Sequence, residues 1–484
     1  MKKLRFSKNR GQIKKRWRRS ALLLLLSAVG LSACSLAEPV GESSQTSSDA
    51  STPTTVPTTA LPETDASIVE PDWNQYRITY DPNEWQAGQF TTTLFLQYAT
   101  QMTSVMQKRL GTAPSGFSAS ARSDSAATPE IRFVYDGTLA EREYRVEVVG
   151  AVQPDILLSA STEKGIFGAV AYFFEDCLPW DGSFPAETSM TAELLLMTDA
   201  CVLLHDGTYY LPMRWEAGYA GYQGDERGYV MYKSNDLYHW SEPKLVFDAN
   251  ACTDPAFDGT CDFWAPELHE YQGKFYLFAT YRSAATDHRG AAIFRSDTPD
   301  GEYELITDGH LQPEGWDAID ATLYVDPDGN PWMVFVHEWT SMEDGIGDIT
   351  AVRLSEDLTQ TVGEFYPLFK ANASPNYPNN NVTDGPWLYE MSDGKLAMLW
   401  SGWGDGYFTC VAYSENGILG PWEQADEPLF ARENGIPESV YGSGHAMLFH
   451  DQNGDLRMSL HAVYSSCTPF FLHIDSSDGV LKLK

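Results

Sequence analysis

The sequence predicts a mainly β protein, a five-bladed β-propeller preceded by a small α+β domain, and three observations carry that prediction. A polar or small residue opens a short strand, a tight Gly turn follows and an aromatic-rich strand leads away, and this pattern recurs five times. The turn glycines fall at 207, 273, 329, 394 and 454, so each repeat is about 60 residues, the length of one four-stranded blade. From 193 onward helical periodicity is scarce, while Asp-Gly and Asn-Gly turns between alternating apolar runs are frequent. The clearest copy is Ile319 to Phe335, IDATLYVDPDGNPWMVF, where Asp320 precedes Gly329. Asp199 precedes Gly207, Asp384 precedes Gly394 and His445 precedes Gly454; in the second copy Ala265 to Glu267 holds that place before Gly273.

The chain opens differently. Met1 to Arg19 is strongly basic, Ser20 to Gly30 is apolar and too short for a comfortable membrane span, and Leu-Ser-Ala-Cys closes the run at Cys34. This resembles a bacterial lipobox, so residues 1–33 are expected to be a lipoprotein signal peptide and Cys34 the lipidated residue. The expected location is extracytoplasmic, with membrane contact through the lipid only. Residues 34–66, rich in Ser, Thr and Pro, cannot build a core and read as a linker.

Residues 67–192 form the α+β accessory domain. Helical spacing runs over 90–110 and 162–175, and strands are expected at Glu130 to Tyr135, Tyr144 to Val149 and Asp155 to Ala160. Residues 193–484 supply the propeller.

Charge narrows the partners. The chain carries −34, and ten of its 33 Lys and Arg precede Cys34 with no Asp or Glu among them, so the remainder carries −44. Such a surface repels nucleic acid, whereas a neutral polysaccharide or oligosaccharide fits it. With 13% aromatic residues and 14 Trp, rings are available to stack on sugar faces; Trp264, Trp316 and Trp403 lie near blade entrances. Six cysteines follow Cys34, and Cys252 with Cys261 is open to a loop-closing disulfide.

In a propeller the first strand of each blade runs beside the central channel, so Asp199, Asp320, Asp384, Glu267 and His445 converge on one opening. A stable fold does not need carboxylates crowded there. Glycoside hydrolysis does: one carboxylate activates water and one protonated carboxyl assists the leaving oxygen.

The motifs DACVLLHDGTYYL, FWAPELHEYQGKFYLFATY, IDATLYVDPDGNPWMVFVHEW, VTDGPWLYEMSDGKLAMLW and GSGHAMLF together resemble glycoside hydrolase family 43. These are inverting five-bladed enzymes acting on arabinose- and xylose-containing glycans. The resemblance implies that Asp199 is the general base, Asp320 the residue that tunes and orients the acid, and Asp384 the general acid. It also implies that His445 lines the channel, contacts substrate and is the one candidate ligand for a structural calcium ion, with no cofactor required. Two departures matter. Thr198-Asp199-Ala200 stands where the family has Arg-Asp-Pro, and Asp384-Gly-Pro stands where it has Glu-Gly-Pro, which makes Glu338 of His-Glu-Trp the alternative acid. The expected activity is removal of arabinofuranosyl or related pentosyl units; the alternative is an inactive glycan-binding propeller.

Overall fold

The computed structural model describes residues 71–484 except 86–88, 120–127, 151–152, 180–187, 219–221, 405, 438–441 and 463–466. The predicted signal peptide, Cys34 and the linker lie outside the described residues.

The first unit is a six-stranded sheet with two helices. Its strands Arg77–Tyr80, Phe117–Ala119, Glu130–Tyr135, Glu143–Val149, Asp155–Ala160 and Thr188–Glu193 lie in the order second, first, third, fifth, fourth, sixth. Helix α1, Thr92–Leu110, starts where the Thr91 side chain accepts the Leu94 N–H and stops at left-handed Gly111. It buries Phe95, Tyr98, Ala99, Met102, Val105 and Met106, a stripe at three- and four-residue spacing. Helix α2, Glu163–Tyr172, is capped in the same way by Thr162 and buries every residue from Gly165 to Tyr172. Two glycines allow that depth: a Cβ at Gly165 would lie 2.4 Å from Glu143 O, and one at Gly168 would lie 2.5 Å from the Tyr144 ring. The helix runs into a π turn at Phe173–Cys177.

Five four-stranded sheets follow, each built from strands consecutive in sequence. Their first strands are Leu203–His205, Gly259–Tyr271, Ala318–Val325, Asp384–Glu390 and Ser443–His450. The five turn glycines each sit in the hairpin after a first strand, at φ between 71° and 89°, which is why the repeat is marked by glycine.

Among the described residues no blade borrows a strand from another, so the ring has a seam between blades five and one. Side chains and backbone cross it: Ser459 donates to Ala200 O at 2.6 Å, Thr468 to Leu195 O at 2.9 Å and Met197 N to Cys467 O at 2.7 Å. The first unit also clasps it. Asp176, in the π turn, accepts from Tyr238 of blade one and from Arg457 (2.8 Å) and His473 (3.1 Å) of blade five. Arg457 further donates to Asp451 at 2.9 Å and to Phe471 O at 3.0 Å. Next to Asp176, burial and that neighbour's charge push the Glu175 carboxyl up to about 8; it accepts the Phe471 N–H at 3.1 Å. One apolar cluster joins α1, α2 and the six-stranded sheet to Leu399, Val411, Leu448, Met458, Leu460, Phe470 and Leu472 of blades four and five. The six cysteines after Cys34 are all free thiols, Cys252 and Cys261 included.

Candidate active site

Each first strand, or in blade one the segment just before it, holds one residue in the left-handed region: Asp199 (φ 57°), Ala265 (φ 40°), Asp320 (φ 55°), Gly385 (φ 48°) and His445 (φ 54°). In blades two to five the strand pairing slips at this point, as at a β-bulge that re-aims a side chain. Four of the five residues are not glycine, and a left-handed non-glycine residue costs about 1–2 kcal/mol. Such strain, repeated around one axis, marks a built site.

The kink frees a backbone N–H, which a side chain of the preceding blade captures. Asp320 N donates to Thr280 Oγ1 at 3.2 Å, His445 N to Ser401 Oγ at 2.8 Å and Asp199 N to His461 Nδ1 at 3.0 Å. Thr280, Ser401 and His461 each stand seven residues after a turn glycine; in blade three that place is Val336. Having no acceptor there, Gly385 N donates instead to Asp320 Oδ2 at 3.1 Å, and this bond orients the Asp320 carboxyl.

The sequence reading gave Asp384 the same repeat position as Asp199 and Asp320, and here the structure differs. The kinked residue of blade four is Gly385, and a Cβ there would lie 2.6 Å from His445 Cδ2. The imidazole occupies the space of a side chain, so the polar residue sits one position earlier. Glu267 stands two positions beyond Ala265. Carboxylates thus reach the channel from three repeat positions, not one.

His445 is their centre. Its side chain is 2% exposed, and its Nδ1 lies 3.2 Å from Asp199 Oδ1 and 3.7 Å from Asp320 Oδ2, while Nε2 is 3.9 Å from Glu267 Oε1. Burial alone would discharge this imidazole, but Asp320 and Asp199 raise it well above its ordinary value. His461 is the opposite case: burial lowers it to about 4, and Nδ1 already accepts the Asp199 N–H. Its 3.6 Å approach to Asp199 Oδ1 is therefore a contact of a neutral ring and not an ion pair.

The carboxyls are driven apart. Burial would lift Asp199, yet the charge of His445 at 3.2 Å holds it well below the usual carboxylate range. Burial pushes Asp320 up to about 8, against His445 and with repulsion from Asp384 and Asp199. Burial lifts Asp384 to about 6, opposed by His445 and the Tyr407 hydroxyl and reinforced by Glu338 and Asp199. At 16% exposure the Asp199 side chain is more open than Asp320 at 6%, which places the ionised group where water reaches it.

Glu338 adjoins the cluster in the fork of Arg289, with contacts of 2.6 to 2.8 Å. Burial raises its carboxyl although Arg289 opposes the shift. The three tryptophans differ. Trp264 lies under the guanidinium groups of Arg289 (4.8 Å) and Arg214 (5.6 Å), and Trp316 stacks on His337 at 3.7 Å. Trp403 stacks on Tyr407 and is 41% exposed.

The calcium expected beside His445 finds no matching donor set. Calcium takes six to eight oxygens, whereas His445 Nδ1 is committed to Asp199. No group of three or more His, Cys, Asp or Glu side chains suited to a metal ion occurs among the described residues. Sequence reasoning missed Tyr407, His461 and Arg289. Of these, His461 had a signal, its offset from the turn glycine.

The model of Glycosyl hydrolases family 43 matches residues 195–472. The extracellular exo-α-(1→5)-L-arabinofuranosidase ArbA of Cellvibrio japonicus (strain Ueda107) is 22% identical over 219 residues, 40% of this chain and 60% of that protein. The extracellular endo-α-(1→5)-L-arabinanase 1 of Bacillus subtilis (strain 168) is 26% identical over 199 residues, 38% of this chain and 55% of that protein. The chain thus spans a little over half the length of these two curated relatives. Among solved structures, the endo-arabinase from Bacteroides thetaiotaomicron VPI-5482 is 35% identical, with a TM-score of 0.50 over 59% of this chain and 96% of that one. The repeat, the ring of carboxyls and these matches lead to one assignment: the chain belongs to glycosyl hydrolases family 43.

Proposed function

We propose that this protein is an inverting glycoside hydrolase that cleaves arabinofuranosyl or related pentosyl linkages in plant-type polysaccharides or oligosaccharides by single displacement. The observation that carries this reading is the gathering of Asp199 and Asp320 against the buried His445 ring, with Asp384 next to the Gly385 that this ring abuts; in that setting His445 favours the charged form of Asp199, while burial lifts Asp384. Such divergence divides base from acid. Asp199 takes a proton from water as the oxygen attacks the anomeric carbon, and Asp384 gives its proton to the departing glycosidic oxygen. A water must fit between sugar and base, so the two carboxyls work about 6.5–9.5 Å apart. Asp320, whose carboxyl burial raises, accepts the Gly385 N–H and so fixes that residue beside the acid. Glu338 is the second reading for the acid, favoured by its burial; the Arg289 fork, which stabilises the charged form, favours Asp384 instead. The arabinan-directed relatives make α-1,5-linked arabinose the first substrate to try, and Trp403 the ring expected to stack on it.

The test is a panel of nitrophenyl pentosides and arabinan oligosaccharides, with the anomer of the first-formed sugar followed by NMR. Inverted product supports the reading. Tight binding without turnover would make the protein a glycan-binding propeller instead. The pH profile adds a signed prediction. Asp384 must be protonated, so kcat falls as pH rises through about 6; Asp199 must be ionised, and its depressed value keeps the acid limb below the ordinary carboxylate range. A rate that stays level up to pH 8 would remove Asp384 as the acid.

Extracellular names among the relatives and the lipobox-like Leu-Ser-Ala-Cys support an extracytoplasmic protein anchored through Cys34. Radiolabelled palmitate is expected to enter the wild-type chain in a bacterial host and to be absent from Cys34→Ser; equal labelling of the two would overturn the anchor.

A further inference from the structure

Tyr407 has no part in the reaction as described above, yet it is built into the site from several sides. It opens the third strand of blade four, Tyr407–Ser414, and is 4% exposed. Trp403 stacks on its ring at 4.8 Å and 24°, and the His461 ring lies 5.8 Å away. Blade five makes room for it with two glycines. A Cβ at Gly444 would lie 2.7 Å from the phenol ring, and one at Gly442 would lie 1.9 Å from the Tyr407 carbonyl oxygen. The strand of Tyr407 is separated from that of Asp384 by the second strand alone, and across it the phenol hydroxyl acts on the Asp384 carboxyl. Asp199 and Asp320 also act on this hydroxyl, and they, with Asp384, hold it well above its ordinary value after burial has raised it. It therefore stays protonated and donates.

Gly385 shows why such a donor is needed. The His445 ring forces the acid back by one position, onto a residue whose chain is one methylene shorter than the Glu of the family pattern. We propose that Tyr407 is a positioning residue for the general acid, its hydroxyl fixing the Asp384 carboxyl in the orientation from which it protonates the leaving oxygen. The proposal rests on Asp384 being the acid. The charged and titratable groups around the pair are Asp199, Asp320, Glu338, His445 and His461, and all remain in a Tyr407→Phe variant, which also keeps the ring packing.

The hydroxyl lowers the Asp384 carboxyl by favouring its charged form, so removing it raises that carboxyl. Tyr407→Phe is expected to move the basic limb of the kcat profile to higher pH and to lower kcat on an arabino-oligosaccharide by about tenfold to a hundredfold, a fraction of a full general-acid contribution. KM should stay within about twofold. A dinitrophenyl arabinofuranoside, whose leaving group needs no proton, should be turned over at nearly the wild-type rate. Asp384→Asn should show the same selectivity with a larger loss, and adding Tyr407→Phe to it should cost nothing further, since residues acting as one unit are not additive. Wild-type rates and an unmoved pH limb in Tyr407→Phe, beside a disabled Asp384→Asn, would overturn the positioning role alone. Equal losses on both substrates, or a further loss in the double variant, would also overturn it, as a packing effect. Full oligosaccharide activity in Asp384→Asn would instead overturn the assignment of the acid.

Discussion

Asp199→Ala is expected to lower kcat on arabino-oligosaccharides by about a hundredfold to ten-thousandfold, the range that a positioned base contributes. The loss should be the same on a dinitrophenyl pentoside, because water must be activated whatever leaves. That separates Asp199 from Asp384, whose loss a good leaving group hides. The truncated side chain opens space next to the anomeric carbon, so added azide should restore turnover and yield an inverted glycosyl azide. His445 loses its nearest counter-charge and should titrate lower than in the wild type, visible in the imidazole NMR signals. Unchanged hydrolysis by Asp199→Ala would end the single-displacement scheme.

Arg457→Met is expected to cost about 3–5 kcal/mol of stability, because it removes the one guanidinium shared by the buried Asp451 and the part-buried Asp176 and leaves them only their neutral or weaker donors. The methionine fills much of the volume, so the loss reads charge and hydrogen bonding more than packing. For a cooperative unit spanning residues 71–484, at about 2.1 cal/mol/K per residue, each kcal/mol moves the melting midpoint by about 1 °C, so a shift of about 3–6 °C is expected in a thermal melt. Its sign depends on pH. Asp176 is held below its ordinary value by His473, Arg457 and Tyr238 against the lift of burial. Its contribution is therefore present above the unfolded carboxylate pKa and disappears as pH falls through the folded one, and the gap between wild type and variant should narrow in acid. An unchanged midpoint at neutral pH would show that the clasp adds nothing.

The blades were legible because a hairpin turn at positive φ selects glycine, and five such glycines leave a count that no packing constraint can hide. The same count also shows where the reading slipped. Asp199 and Ala265 stand eight residues before their turn glycine, and Asp320, Gly385 and His445 stand nine, whereas Asp384 stands ten. That single extra residue is the footprint of the His445 ring against Gly385, a contact between chain segments 60 residues apart that local pattern does not register. Trp264 illustrates the limit from the other side. Its composition suggests a sugar platform, and only the fold reveals two guanidinium groups against it. In the first unit, Arg77–Tyr80, Phe117–Ala119 and Thr188–Glu193 passed unnoticed because strands of three to six residues with polar residues interleaved look like loop, the last two lying at the sheet edges. The helix over 162–175 was visible, but its last turn is a π turn, whose consequence is to aim Asp176 at the seam.

The clasp at that seam has a bearing on how the molecule is made. Ribosomes deliver the six-stranded unit first and the fifth blade last, and domains generally fold in that order. The apolar surface of α2 and the carboxyl of Asp176 are thus waiting when Arg457 and Phe470 emerge, so the final blade docks onto a finished template and the circle closes against it. A nascent chain halted before residue 443 should hold a sensitive protease site at Tyr238 that the completed polypeptide protects.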